Sequence, residues 1–364
     1  EIPLRLVGSE MCIRDSYSAT RLERFAACAF AHFLQYGMKL TERVEYEFKP
    51  MDMGNVMHEA LESFAEEVRK RGMKWTELTE QERNEIADRC LDNIVADYGN
   101  TVLKSSARNE YMIERTRRIL RRTVWALQKQ LEQGEFQPEG FEVTFGGGRI
   151  DRVDIMEDQN KVYVKVIDYK TGNTSFDLVY LYHGLQLQLM IYLDGALRVE
   201  QKKYPDKEII PAGVFYYNIK DPMIQEKIDA DVEAVSEGLM KELKMNGLVQ
   251  ADPELVYRMD SSLGSIPVAF NKDGSFRKNS SVADRTQFAV LGRYVRTKIE
   301  KIRSSILEGD AEVSPYELGK KNACTYCPYM TVCGFDRRLS GYEFRRLKNF
   351  SDEELWKAFD REAE

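Results

Sequence analysis

Two periods of apolar residues run along this chain, and the switch between them divides it. Between residues 17 and 135 the apolar positions recur every three or four residues, the spacing of helices buried on one face. Ser18 is placed to cap a helix through RLERFAACAFAHFLQYG, with Gly37 as its stop. The Phe- and Ala-rich face of that helix predicts burial. Asp52 opens a second helix, DMGNVMHEALESFAEEVRK, and Thr79 with Glu82 forms a capping box for a third. A long helix covers roughly 107–133 and ends at Gly134.

The period then falls to two. FEVTF (141–145), RIDRVDI (149–155) and KVYVKVIDY (161–169) read as strands, with GGG (146–148) as the first turn. HGLQLQLMIYLDGAL reads as a helix and IIPAGVFYYNI as a further strand. Helices of roughly 229–245 and 283–308 come next, and Ser351 with Glu354 caps a short last helix. FNKDGSFRKNSS (270–281), polar and rich in Gly and Ser, reads as a mobile loop. A central β-meander with a crossover helix, helical at both ends, makes an α/β chain.

The strand pattern also carries chemistry. In VKVIDYKTG, Val164, Val166, Asp168 and Lys170 alternate and share one face, so two core valines carry an acid and a lysine to the strand's end. On the neighbouring strand Asp151 shares parity with Val153 and Ile155, which would set Asp151 beside Asp168. Two carboxylates that close repel unless one is protonated or a cation lies between them. Hard oxygen ligands suit Mg²⁺ or Mn²⁺, and Lys170 would offset charge on a phosphate oxygen. Either acid alone reads equally well as a surface charge; the pair followed by the lysine does not. His58, among Met57, Leu61 and Phe64, lies on a partly buried helix, where a lone His is more often structural than a ligand.

Composition narrows the setting. At 364 residues, 43% hydrophobic and 31% charged, the chain is one large globular domain or two ordinary ones. No run of eighteen apolar residues predicts a membrane span, and CIRDSYSAT interrupts the weakly apolar start, so no secretory signal is expected. A cytoplasmic setting follows, where six cysteines point to metal or redox chemistry before disulfides. A net charge of −7 argues against a basic coat, but allows a local basic groove or an acidic cleft for divalent cations. Residues 1–16 resemble a translated sequencing adapter and are expected to be foreign to the domain, which sets Cys12 aside. The helix ERTRRILRRT offers Arg115, Arg117, Arg118, Arg121 and Arg122, either as a path for single-stranded DNA or as a solvated face. CTYCPYMTVC holds Cys324, Cys327 and Cys333, a spacing that suits zinc or an iron–sulfur cluster if a fourth thiolate joins them. Cys90, mid-helix, reads as an ordinary buried cysteine.

Taken together, MGNVMHEAL, GRIDRVD, VIDYKTG and QLQLMIY resemble the RecB-class nuclease domains of the PD-(D/E)XK superfamily. That resemblance implies a restriction-endonuclease-like core sheet flanked by helices. It implies metal ligation by His58, Asp151 and Asp168 with the Tyr169 carbonyl, a catalytic Lys170, and Gln188 with Tyr192 positioning the DNA backbone. Glu142, which in the family sits near the metals, is held only weakly because the glycine turn after it is short. The cysteines and SATRLERFAACAFAHFLQYGMKL are similar to AddB/RexB-type subunits of bacterial helicase–nuclease complexes. In such proteins four cysteines hold a [4Fe–4S] cluster, which makes Cys28 the implied partner of Cys324, Cys327 and Cys333, closing the fold.

The same resemblance implies a nuclease domain over 17–336, with a helical part (17–135), a core (136–225), a helical C-terminal part (226–336) and a helical tail (337–364). The implied activity is Mg²⁺-dependent exonuclease cutting of single-stranded DNA, on the 5′-ended strand, beside an AddA-type partner, with no membrane. No Walker A motif occurs, so the chain is not expected to be the motor; the resemblance, whose full-length members carry a large helicase-like region ahead of this domain, implies a C-terminal piece. Two other readings stand beside it: a stand-alone nuclease resembling the CRISPR adaptation enzymes, and a non-cutting DNA-end clamp.

Overall fold

The computed structural model describes residues 17–41, 50–97, 106–146, 148–223 and 232–363. The expected foreign leader, 1–16, lies outside them. Helix α1 (Ala19–Ala27) is capped by Ser18, whose hydroxyl accepts from the Arg21 N–H. The expected single helix to Gly37 is interrupted: Cys28 is extended at φ −165° and ψ 117°, and the chain re-coils over Ala29–His32 and a wider turn, Phe33–Gly37. Tertiary contacts flank the break, where the Phe30 N–H donates to Glu312 O at 3.0 Å and the Arg345 guanidinium to Ala26 O.

Helices α2 (Pro50–Lys70), α3 (Glu80–Asp97) and α4 (Ala107–Glu132) follow. The Thr79–Glu82 capping box forms in both directions, at 3.0 and 3.3 Å. Strands β1 (Gln137–Phe145), β2 (Gly148–Glu157) and β3 (Lys161–Lys170) make the antiparallel meander. A short helix α5 (Leu178–Tyr182) and α6 (Gln188–Lys203) then cross over to β4 (Glu208–Asn218), which pairs parallel with β3. The expected helix from His183 thus starts five residues late. Gly184, at φ +77°, turns the chain in a region that L side chains rarely adopt.

Helix α7 (Val232–Glu242), β5 (Asn246–Gln250), α8 (Pro253–Met259), β6 (Val282–Ala283) and α9 (Arg285–Leu307) extend the sheet to the order β1-β2-β3-β4-β5-β6. Residues 270–281, expected to be a mobile loop, fold back on themselves. Phe270 bridges Phe276 and stacks on Tyr257, and the Arg277 side chain donates to Phe270 O. A small sheet of β7 (Tyr316–Leu318), β8 (Lys321–Asn322) and β9 (Arg345–Arg346) precedes α10 (Asp352–Ala363). Leu355 and Phe359 of α10 enter the core beside Tyr182 and Tyr294. No described helix is long and apolar enough to cross a membrane.

The sheet separates two cores. Tyr163, Ile167 and Tyr169 pack against α2, α3 and α4. Val162, Val164 and Val166 pack against α1, α6 and α9. Behind β2, on the first side, Arg152 and Lys165 hold the fully buried Asp154 at 2.5 and 3.0 Å. Burial alone would raise the Asp154 carboxyl; the two cations outweigh it and hold it below the usual range. Such a network is costly to break, because one lost partner strands a buried charge. Replacement of Asp154 by Ala is therefore expected to cost about 3–5 kcal/mol in urea unfolding. The loss should shrink at acid pH, since a depressed carboxylate contributes stability above its unfolded pKa and loses it as pH falls.

Candidate active site

The strand register sets three acids in one row. Phe141 faces Arg152, Val143 faces Ile150, and Arg152 faces Ile167. Glu142 therefore lies opposite Asp151, and Asp151 opposite Asp168. Alternation of faces slips at this row. Phe141 packs in the first core and Val143 in the second, although residues two apart in a regular strand share a face. The backbone accounts for the slip, because Glu142 sits at φ +49°, a strained position for a non-glycine residue.

Helix α2 brings His58 to the row. Its Nδ1 lies 3.3 Å from Asp151 Oδ2 and 3.9 Å from Glu142 Oε1, and its ring meets Tyr169 edge-on. The Tyr169 N–H donates to Asp151 Oδ2 at 2.7 Å, while Arg149 pairs with Glu142. Asp168 is buried, and Lys170 Nζ lies 2.6 Å from its Oδ2. Lys170 also donates to Gln188 Oε1 at 2.7 Å, and Gln188 Nε2 donates to the Tyr192 hydroxyl at 2.9 Å. Glu23 of α1 closes the arrangement from below: its Oε1 accepts from the N–H groups of Leu187 and Gln188 at 2.7 and 2.9 Å.

Of the residues singled out in the sequence, His58, Asp151, Asp168, Lys170, Gln188 and Tyr192 come together here. Glu142, weighted least, is brought in fully. Glu23 gave only a faint signal, an acid in an otherwise Phe- and Ala-rich helix. His58, Glu142 and Asp151 offer donor atoms within 4.8 Å of one another. Asp168 adds a buried carboxylate whose Oδ2 is held by Lys170 Nζ at 2.6 Å. Mixed imidazole and carboxylate donors of this kind fit Mg²⁺ or Mn²⁺.

Cys28, Cys324, Cys327 and Cys333 line one small apolar cavity with Phe30 and Tyr329, and all four are free thiols. Burial, and then the neighbouring thiols, push Cys324 up to about 11. Cys90 is buried in the first core, as expected. The arginine helix is engaged within the fold. Arg117 and Arg121 pair with Asp92 and Asp88, Arg118 with Asp221, and Arg122 lies over Trp125.

An acid row that ends in Asp-x-Lys at the C-terminal end of a central strand of a mixed sheet, with a histidine delivered by a preceding helix, defines a nuclease core. The chain belongs to the PD-(D/E)XK nuclease superfamily, whose family model matches residues 16–334. Among curated proteins it is similar to the B subunit of the ATP-dependent helicase/deoxyribonuclease of Lachnoclostridium phytofermentans, at 44% identity over 95% of this chain and 32% of that protein. The proteins of that name from Thermoanaerobacter sp. and Clostridium acetobutylicum are each 35% identical, over 96% and 100% of this chain and 32% and 33% of theirs. The chain spans about a third of the length of these relatives.

The protons in the row give it a pH signature. Burial, and then Asp151, push the Asp168 carboxyl from 3.8 up to about 7. Burial would lower His58, but its hydrogen bonds to Asp151 and Glu142 outweigh that and push it up to about 10. Both groups bind protons more tightly in the folded state, so their stabilisation is full at low pH. The Asp168 share is lost as pH rises through about 7 and the His58 share only near 10. A divalent cation held by the row would replace those protons. Mg²⁺ or Mn²⁺ is expected to raise Tm by roughly 2–5 °C near pH 8 and by less than half that near pH 5.5. EDTA should reverse the shift, and His58→Ala or Glu142→Ala should shrink it.

Proposed function

We propose that this chain is the nuclease part of an AddB-type subunit and hydrolyses phosphodiester bonds of single-stranded DNA, on the 5′-ended strand. One observation carries the reading: the row Glu142, Asp151 and Asp168, flanked by His58 and Lys170. His58, Glu142 and Asp151 would hold Mg²⁺ or Mn²⁺, with Asp168 and the Tyr169 carbonyl completing the set. When bound, the cation polarises the scissile phosphate and a water. Lys170, fixed between Asp168 and Gln188, places an ammonium where negative charge grows on the phosphate. Tyr192 fixes Gln188 from the far side. Direct water attack is favoured because no serine or cysteine stands beside a base in this row.

The relatives, named as B subunits of a helicase/deoxyribonuclease, support action beside a partner subunit; an AddA-type partner, a role in double-strand break repair by recombination and a cytoplasmic setting are part of the proposal on the family likeness. The four thiols around one cavity support a [4Fe–4S] cluster on Cys28, Cys324, Cys327 and Cys333. Iron is preferred over zinc on the family likeness.

The test uses 5′- and 3′-labelled single-stranded DNA with Mg²⁺, with and without the partner subunit. Cutting should stop with EDTA and fall at least about 100-fold in Asp168→Ala and in Lys170→Ala, with DNA still bound. DNA binding without cutting in every combination would replace this reading with the clamp. For the cluster, anaerobically purified protein should carry iron and labile sulfide, and Cys327→Ala should lose most of both; zinc in their place would overturn the assignment.

A further inference from the structure

We infer that Glu23 is a positioning residue for the hydrolysis proposed above, on which the inference rests. It holds the first turn of α6 so that Gln188 keeps Lys170 beside Asp168.

Helix α6 needs such a group. Its N-cap residue is Leu187, which has no side chain able to accept from the first turn. The leading N–H groups of a helix are orphaned unless something outside supplies an acceptor. Here the acceptor arrives from a remote part of the chain, as Glu23 Oε1 takes the N–H groups of both Leu187 and Gln188. A carboxylate also suits the positive end of a helix. Burying one is costly unless it is paired or hydrogen-bonded, and both of these bonds fall on the turn that begins with Gln188.

That turn leads straight to the chemistry. Gln188 uses both ends of its amide, its Oε1 for Lys170 Nζ and its Nε2 for the Tyr192 hydroxyl. Its backbone position therefore sets where the lysine sits relative to Asp168, 2.6 Å away. Helix α1 can act as the fixed member. Leu22, Phe25 and Ala26 anchor it in the core, and Arg24 Nη2 donates to Cys327 Sγ at 3.7 Å. Without Glu23 the first turn of α6 keeps its helical bonds further on but loses its registration, and the lysine loses its fixed partner.

The experiment measures single-turnover cutting of labelled single-stranded DNA at saturating Mg²⁺, using the chain with its partner subunit if cutting requires it. Wild type, Glu23→Ala, Glu23→Gln, Glu23→Asp, Gln188→Ala and the Glu23→Ala/Gln188→Ala double variant are compared, with DNA affinity and thermal melting recorded for each. Glu23→Ala should slow cutting about 10- to 100-fold, the usual scale for a group that orients a reacting one, with DNA affinity within about threefold. Glu23→Gln, which keeps an acceptor oxygen, should restore most of the rate. In the Gln188→Ala background, Glu23→Ala should add less than about threefold, because the two act through one path. Glu23→Asp, one methylene shorter, gives a milder test should the Ala variant fold poorly: a several-fold loss that disappears in the Gln188→Ala background. A wild-type rate in Glu23→Ala, multiplicative effects in the cycle, or a rate loss that merely tracks melting would overturn the inference. No cutting by wild type, indistinguishable from Asp168→Ala, would instead remove the nuclease reading beneath it.

Discussion

Glu142, Asp151 and Asp168 occupy one transverse row of a sheet at spacings that like charges resist. The surrounding structure supplies what lets them stay. Cationic or proton-binding groups arrive from three elements, His58 from α2, Arg149 from β2 and Lys170 from β3. The Tyr169 N–H adds a fixed dipole on Asp151. Even so, burial, and then Asp151, push the Asp168 carboxyl up to about 7 although Lys170 Nζ lies 2.6 Å from its Oδ2. A buried group left in that state is expensive, which is the physical sense in which the row is prepared for a cation.

Preparation of this kind needs stiff surroundings. The strained backbone at Glu142 would relax if its neighbours yielded. Phe141 is stacked on Trp75, Arg152 lies over both rings, and the Arg152–Asp154–Lys165 network locks β2 to β3 one step behind the row. Behind the row two cations, Arg152 and Lys165, hold the single acid Asp154, whereas within it three acids share His58, Arg149 and Lys170. That difference separates a structural ion network from a working one on the same two strands.

The sheet, its meander and the row Asp151–Asp168 were legible because strand period and β3 end chemistry are local properties of the sequence. Lys170, Gln188, Tyr192 and His58 were legible through motif likeness. Glu142 was legible only weakly, through the same likeness, since a one-residue slip of face at φ +49° has no local signal in FEVTF. The late start of α6 was missed for a related reason: HGLQLQLMIY has helical period throughout, and only the turn at Gly184 and the Glu23 carboxylate set the boundary at Gln188. The break at Cys28 is likewise set by contacts with residues far along the chain, Glu312 and Arg345. The arginine helix kept two readings because charge spacing shows which residues share a face, but not which acids from α3 will meet them.

Helix α1 is where these long-range effects meet. Glu23 reaches the helix that carries Gln188, Arg24 reaches Cys327, and Cys28 lines the thiol cavity. Burial, and then the neighbouring thiols, oppose ionisation of Cys324, so any metal or cluster held there must displace protons to bind. Ligation would then tie the start of the described chain to residues 324–333 and fix the axis on which α1 sits. Helix α1 thus lies between the cysteine cavity and the acid row, with Arg24 in contact with Cys327 and Glu23 in contact with the first turn of α6. A site that needs sub-ångström placement of a lysine gains from having that helix clamped at a point where the clamp itself takes no part in the chemistry.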